Sequence, residues 1–282
     1  MTAQVHDSAT RTDRIRQITV ALGAALAIVA AAWGAGAFGG TPIAQAADGA
    51  LAADATLLAP ATGAFGIWSV IYAGLALFAV YQVLPGRGAD PRLRAVAWPV
   101  LASMVLNAAW IGTVQAGWLW VSVLVIVAIV AVLASVAVTL LRIAPSSWKD
   151  RVTTDVPVGL YLGWVSVATA ANIAATGRDS LGTAPEDGFA FAVVVLAAVA
   201  AIAVTFAVKM RGRPALVVAT GLAMAWGLAW IAAARAEGEP ASLSVMWAAG
   251  LAAVVAFCAP FAVFDFSRDR PPRPTGRGDA ES

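Results

Sequence analysis

Eight apolar runs of about 20 residues each are the feature that most limits how this chain can fold. A helix rises about 1.5 Å per residue, so a run of roughly 20 residues crosses the hydrocarbon core of a bilayer. Because 61% of the 282 residues are hydrophobic and only 12% are charged, the composition excludes an ordinary soluble domain. The sequence therefore predicts an all-α, polytopic membrane helix bundle with eight transmembrane helices. The predicted spans are 18–38, 64–84, 95–114, 118–140, 156–176, 189–208, 215–234 and 243–264.

The basic residues predict how the bundle is oriented, because Lys and Arg that flank membrane spans are retained on the cytoplasmic side. All of them except Arg178 and Arg235 fall on the side that carries both chain termini. We therefore expect a multi-pass protein of the cell membrane with both termini cytoplasmic. Residues 1–17 would form an N-terminal cytoplasmic tail, and residues 267–282 a disordered cytoplasmic tail. An alternative is that the first span is a signal peptide cleaved near the Ala-Gln-Ala at 44–46, although its apolar run is longer than usual for one.

Several classes of function are disfavoured by the residues that the chain lacks. A net charge of +2 gives no cationic surface for nucleic acid, and one cysteine with one histidine leaves little for a metal centre. The predicted spans contain no charged residue, which argues against an ion-coupled carrier and against an intramembrane hydrolase. We therefore expect no cofactor, no nucleic-acid partner and no enzymatic activity.

Aromatic and amide side chains recur at helical spacing in three of the predicted spans, so each set shares one face of its helix. One reading is helix packing, because Asn and Ser commonly bond neighbouring membrane helices and aromatic rings fill cores. The other is a concave pocket walled by rings, in which Asn107 and Asn172 bond a polar ligand edge, or each other when the pocket is empty. The candidate ligand-binding residues are Phe65, Trp68, Tyr72, Asn107, Trp110, Tyr161, Trp164 and Asn172.

The same three segments resemble the tryptophan-rich sensory proteins of the TspO/MBR family, which includes the mitochondrial translocator protein. The block Phe65-Gly-Ile-Trp-Ser-Val-Ile-Tyr72 is similar to the family's Phe-x-x-Val-Trp-x-x-Leu-Tyr, and Leu106-Asn-Ala-Ala-Trp110 to its Leu-Asn-x-x-Trp. The stretch from Tyr161 to Asn172 is similar to its Tyr-Leu-Ala-Trp-x-x-Phe-Ala-x-x-Leu-Asn block. The resemblance implies a five-helix bundle over residues 18–177 whose pocket binds porphyrins, cholesterol-like lipids or synthetic aromatic ligands. It also implies that seven of the candidate residues, all except Phe65, line this pocket.

The chain departs from the family pattern at three places. Leu160 replaces the family's Pro before Tyr161, with Pro157 three residues earlier, and no aromatic residue follows Asn172 closely. Residues 178–266 supply three additional predicted helices without a counterpart in the five-helix family.

The leading hypothesis is an integral membrane sensory or binding protein that holds a flat aromatic or lipidic ligand, such as a tetrapyrrole, in an uncharged pocket. One alternative is a permease, or a permease component, for a small apolar solute. Another is a scaffold that packs against a partner or forms a homo-oligomer through small residues such as Gly34, Gly36 and Gly40. Membrane lipid is an expected partner in every case.

Overall fold

The computed structural model of the protein describes residues 9–263. Residues 1–8 and 264–282, and with them most of the predicted tails and the end of the last predicted span, lie outside the described residues. Within residues 9–263 the chain forms eight helices that are long and apolar enough to cross a membrane, as the sequence predicts. They are α1 (Arg11–Gly34), α2 (Ile67–Val83), α3 (Pro91–Gln115), α4 (Leu119–Arg142), α5 (Trp148–Leu181), α6 (Phe189–Met210), α7 (Pro214–Glu237) and α8 (Leu243–Ala262).

Capping side chains extend two helices beyond their predicted starts. Helix α1 begins seven residues before the predicted position 18, because Thr10 accepts from the backbone N–H of Asp13 and Asp13 bonds back to Thr10. Helix α5 begins at Trp148, where Ser147 and Asp150 form a second capping box. A π-helical turn, Arg151–Asp155, then joins this first turn to the rest of α5. Hydropathy alone marks only the apolar part of each helix, so it misses these polar first turns.

Two packed cores run side by side through the bundle. The first core is built by the first five helices, with further residues from α6 and α7, and the second joins α6 and α8 to α5 and α7. Helices α5 and α7 approach closely because small residues line their contact. A Cβ at Gly159 would lie 2.6 Å from the carbonyl oxygen of Leu216, a distance that a side chain cannot adopt. Helix α7 therefore connects the last three helices to the five-helix region.

The two ends of the bundle differ in their polar contacts. At the tail end, where α1 begins, Arg92 pairs with Asp155, and Arg94 donates to Asp13 over 2.6 Å. Arg92 and Asp155 are both buried. The sequence places these charges outside the apolar spans, but the longer helices carry them into the packed end of the bundle. The opposite end, called the loop end below, holds the connection 35–61 and the turn between α3 and α4.

The outward faces of the helices are apolar. Trp33, Leu124 and Trp247, for example, are mostly exposed in the isolated chain. Large exposed apolar faces of this kind are expected to contact lipid in a helix bundle that spans a membrane.

Candidate functional site

The eight candidate residues converge between α2, α3 and α5, near the loop end. Phe65 lies in a short 3-10 turn, Thr62–Gly66, that leads into α2, and Trp68 and Tyr72 follow on α2 itself. Asn107 and Trp110 come from α3, and the other three residues, Tyr161, Trp164 and Asn172, come from α5. The structure therefore brings together all three predicted stripes.

Five of these side chains form an aromatic cluster: Phe65, Trp68, Tyr72, Tyr161 and Trp164. Trp68 lies at its centre, stacked on Tyr72 with ring centroids 5.2 Å apart. It also meets Tyr161 and Trp164 edge to face, at 5.7 Å and 6.2 Å. Phe65 adds a further edge contact to Trp164 at 6.0 Å. These distances lie in the range in which aromatic pairs attract beyond their burial, so the rings pack against one another.

The two amides are each bonded inside the protein, but not to each other. Asn107 donates from Nδ2 to the hydroxyl of Tyr72 at 2.9 Å. Asn172 accepts from the indole Nε1 of Trp110 at 2.7 Å and donates to Ser122 Oγ at 3.0 Å. The expectation that the two amides bond each other in the empty site is therefore wrong. Each amide instead bonds an aromatic side chain on a neighbouring helix, Tyr72 for Asn107 and Trp110 for Asn172.

The sequence did not point to Ser122, one of three hydroxyl-bearing residues in the apolar α4. Its hydroxyl bonds the backbone oxygen of Leu119 and faces Asn172, so it fixes the amide from the α4 side. Thr176, one turn after Asn172 on α5, is the other acceptor of the same Nδ2 group at 3.3 Å. The i, i+4 spacing of Asn172 and Thr176 is the one signal in the sequence that anticipates this contact.

Tyr161 takes a structural place in the cluster. Its side chain is fully buried, and its hydroxyl donates to the backbone oxygen of Ser103 at 2.9 Å. The hydroxyl of Ser103 bonds the carbonyl oxygen of Val100 in turn. Tyr161 therefore ties α5 to α3.

Trp164 differs from the other polar members of the site. Its side chain is 2% exposed, and its Nε1–H has no hydrogen-bond acceptor among the described residues. A buried donor without an acceptor costs about 1 to 3 kcal/mol, so such groups are uncommon in folded proteins. An acceptor supplied by a ligand would remove this cost.

The space between the rings is smaller than the sequence led us to expect. Two small cavities touch the cluster, with volumes of about 40 Å³ and 20 Å³. Both are bordered by Phe65, Trp110, Trp164 and Ala168. Sites for drug-sized ligands usually span roughly 300 to 1,000 Å³, so the cluster is nearly closed. Tyr72 and Tyr161 border neither cavity, because their rings pack against Trp68 and their hydroxyl groups are hydrogen-bonded inside the protein.

The connection 35–61 covers the larger of these two cavities, which we call the inner cavity. The covering residues are called the roof and comprise Ala50, Leu51, Thr56, Ala59 and Pro60. Only short 3-10 turns interrupt this connection, and its sequence does not indicate that it covers a cavity. The connection is rich in Ala, and its sequence shows neither a helical periodicity nor a recognisable motif.

A third and larger cavity lies beside the roof. This outer cavity has a volume of about 430 Å³ and opens between the loop-end parts of α4, α5 and α6. Trp120, Ile173, Arg178 and Phe191 are among its walls. Thr56 is the one residue that borders both the inner and the outer cavity.

Comparison with family models matches residues 17–262 to a family described as TSPO-like protein. The chain belongs to the TSPO-like protein family. The match continues through α6, α7 and α8, beyond the five helices that carry the aromatic motifs, so the last three helices lie within the matched region. Comparisons with curated proteins and with solved structures gave no significant match. The TSPO-like chain is thus an integral, multi-pass membrane protein with an aromatic and amide cluster under the roof.

Proposed function

We propose that this TSPO-like membrane protein binds a flat aromatic ligand, with a tetrapyrrole as the leading candidate, in the aromatic cluster under the roof. The observation that carries the proposal is the buried indole N–H of Trp164, which lacks an acceptor beside both small cavities. Indole rings offer stacking faces, and an N–H donor at the same place fixes the orientation of a ligand that carries an acceptor.

The small cavity volumes indicate how the ligand is accommodated. A tetrapyrrole does not fit into about 40 Å³, so binding requires the roof or the rings to move. The roof is more easily displaced than the rings, because it lacks a continuous helix, whereas most of the rings lie on packed helices. The ligand is then inserted beneath the lifted roof and stacks on Trp164 and Trp68.

The protein acts by binding and not by turnover. General acid–base catalysis usually needs a carboxylate, an imidazole or a lysine within reach of the reacting atoms. The two cavities at the cluster are bordered by apolar, aromatic, amide and hydroxyl groups. We further propose that the protein resides in the cell membrane with the tail end in the cytoplasm, so that the roof faces outward.

Titration with protoporphyrin tests the proposed function. The purified full-length chain should quench its tryptophan fluorescence on binding, and Trp164→Phe should weaken the affinity by about tenfold through the lost donor. Trp247→Phe is the matched control, because Trp247 lies on α8 and is 72% exposed. Equal affinities for Trp164→Phe, Asn172→Ala and the unmodified chain would contradict a ligand site at the cluster.

A further inference from the structure

Arg235 is the most deeply buried charged side chain at the loop end, with 1% of its surface exposed. Its guanidinium donates to two roof-side carbonyl oxygens, that of Ala53 at 2.7 Å and that of Thr56 at 3.1 Å. It also donates to the carbonyl oxygens of Pro240 and Glu239, at 2.9 Å and 3.3 Å. One side chain at the end of α7 thus joins the α1–α2 connection to the α7–α8 connection.

Two tryptophans of α7 hold the next part of the same connection. The carbonyl oxygen of Trp230 accepts from the backbone N–H of Ala61 at 3.1 Å, and the Trp226 indole donates to the carbonyl oxygen of Ala64 at 2.9 Å. The Trp230 ring packs so closely over Gly63 that a Cβ there would collide with it. Helix α7 therefore contacts the connection at Arg235 and Trp230, and the turn that follows it, Thr62–Gly66, at Trp226.

The bond from Arg235 to Thr56 bears directly on the two cavities, because Thr56 borders both of them. We propose that Arg235 is a positioning residue that holds the roof closed and thereby sets the size of ligand that the site accepts. While Arg235 holds Ala53 and Thr56, the inner cavity stays small. When these bonds break, the inner cavity joins the outer cavity of about 430 Å³, which reaches the size of known ligand sites.

The guanidinium has other partners within reach when the roof lifts. Glu237 and Glu239 border an open recess together with Arg235 at the loop end. A charged group that leaves carbonyl partners can therefore pair with carboxylates in water instead of losing all partners. This exchange makes two arrangements of the roof accessible, and it gives the last three helices a role in access to the site.

The experiment measures roof opening without a ligand. In a Cys258→Ser background, Ala59→Cys places a thiol on the roof, where the native side chain is buried and borders the inner cavity. A water-soluble maleimide then reports how often the roof opens in the full-length, detergent-solubilised chain. We expect Arg235→Met to raise the labelling rate by about tenfold, because two charged hydrogen bonds to the roof are lost. Arg235→Lys should give a smaller rise, since one ammonium cannot reach all four carbonyl groups.

Glu186→Gln is the matched control, because Glu186 is exposed, lies in the loop-end connection between α5 and α6 and also loses one charge. Its labelling rate should equal that of the parent chain. Equal rates for Arg235→Met and the parent would overturn the proposal. If Arg235→Met does not fold, Arg235→Lys decides instead, with a rise of a few fold in favour of the proposal and an unchanged rate against it.

The link between the roof and a tetrapyrrole rests on the proposed function, and a second measurement separates the two. The association rate of protoporphyrin should rise in Arg235→Met together with the labelling rate. Faster labelling without protoporphyrin binding in any variant would support the gating role of Arg235 and overturn the proposed ligand. Unchanged labelling with normal protoporphyrin binding would overturn the gating role and support the proposed function.

Discussion

The indole Nε1 of Trp110 donates to Oδ1 of Asn172 over 2.7 Å, a buried bond that joins α3 to α5. The same amide donates to Ser122 on α4, so three helices meet at one side chain. This contact explains why the helix-packing reading and the ligand-site reading of the sequence are not exclusive. The polar residues of the site also hold together the helices that form it.

Loss of the Asn172 amide should destabilise the bundle. Asn172→Ala leaves the buried Trp110 indole N–H without its acceptor, at a cost of about 1 to 3 kcal/mol, and removes one of the bonds of the Ser122 hydroxyl, which keeps its bond to Leu119. Reversible unfolding in mixed micelles measures the change in the free energy of unfolding. Ser166→Ala is the control, because Ser166 bonds only the carbonyl oxygen of Leu162 within its own helix. A similar small effect for both variants would show that the Asn172 contacts contribute nothing.

The contact between α5 and α7 should be sensitive to a single methyl group. Gly163→Ala would place a Cβ against the Thr220 carbonyl group and should destabilise the protein by about 1 to 3 kcal/mol through overpacking. Gly177→Ala, on the same helix, meets no described atom within 4 Å and should be neutral or slightly stabilising. Thermal unfolding followed by circular dichroism distinguishes them. A more stable Gly163→Ala protein would mean that the two helices are not packed as described.

Removal of one partner of the tail-end ion pair should destabilise the protein more than replacement of both partners by apolar residues. Arg92→Met leaves buried Asp155 without its cation, and the expected loss is about 3 to 5 kcal/mol. The double variant Arg92→Met with Asp155→Leu removes both charges and should recover much of that loss. A double-mutant cycle in the free energy of unfolding checks this. Losses that simply add would contradict direct pairing of the two groups.

The basic residues also predict which side of the membrane each end faces. In a Cys258→Ser background, a membrane-impermeant maleimide applied to intact cells should label Glu237→Cys at the loop end, but not Arg211→Cys at the tail end. Both native positions are exposed, so accessibility within the fold is matched. The reverse pattern of labelling would place the roof in the cytoplasm and contradict the proposed orientation.

The sequence was sufficient for the eight helices and for the convergence of the three stripes. Long apolar runs leave few alternatives in a bilayer, and side chains at i, i+3 and i+4 necessarily share a face. The polar helix starts at Thr10 and Ser147 were missed, because a cap acts through local hydrogen bonds and not through hydropathy.

The roof and Arg235 could not be predicted, since they depend on contacts between segments far apart in the chain. Thr56 and Arg235 are separated by 179 positions, and neither residue lies in a motif. The close packing of the aromatic rings, which leaves only small cavities between them, was also not predicted. A stripe of aromatic residues fixes the direction in which side chains point, but the distance between helices decides whether rings enclose a void or fill it. Here Trp68 packs against three other rings and fills much of the space.

The most direct test of the account follows the indole N–H of Trp164 by nuclear magnetic resonance. The full-length chain, labelled with ¹⁵N in its tryptophan rings, would be titrated with protoporphyrin in micelles, and Trp164→Phe would assign the resonance. The account predicts that the Trp164 signal shifts more than the signal of Trp247 and becomes protected from solvent exchange when the ligand supplies the missing acceptor. Saturating protoporphyrin that quenches the fluorescence but leaves the Trp164 signal unmoved would contradict the central claim.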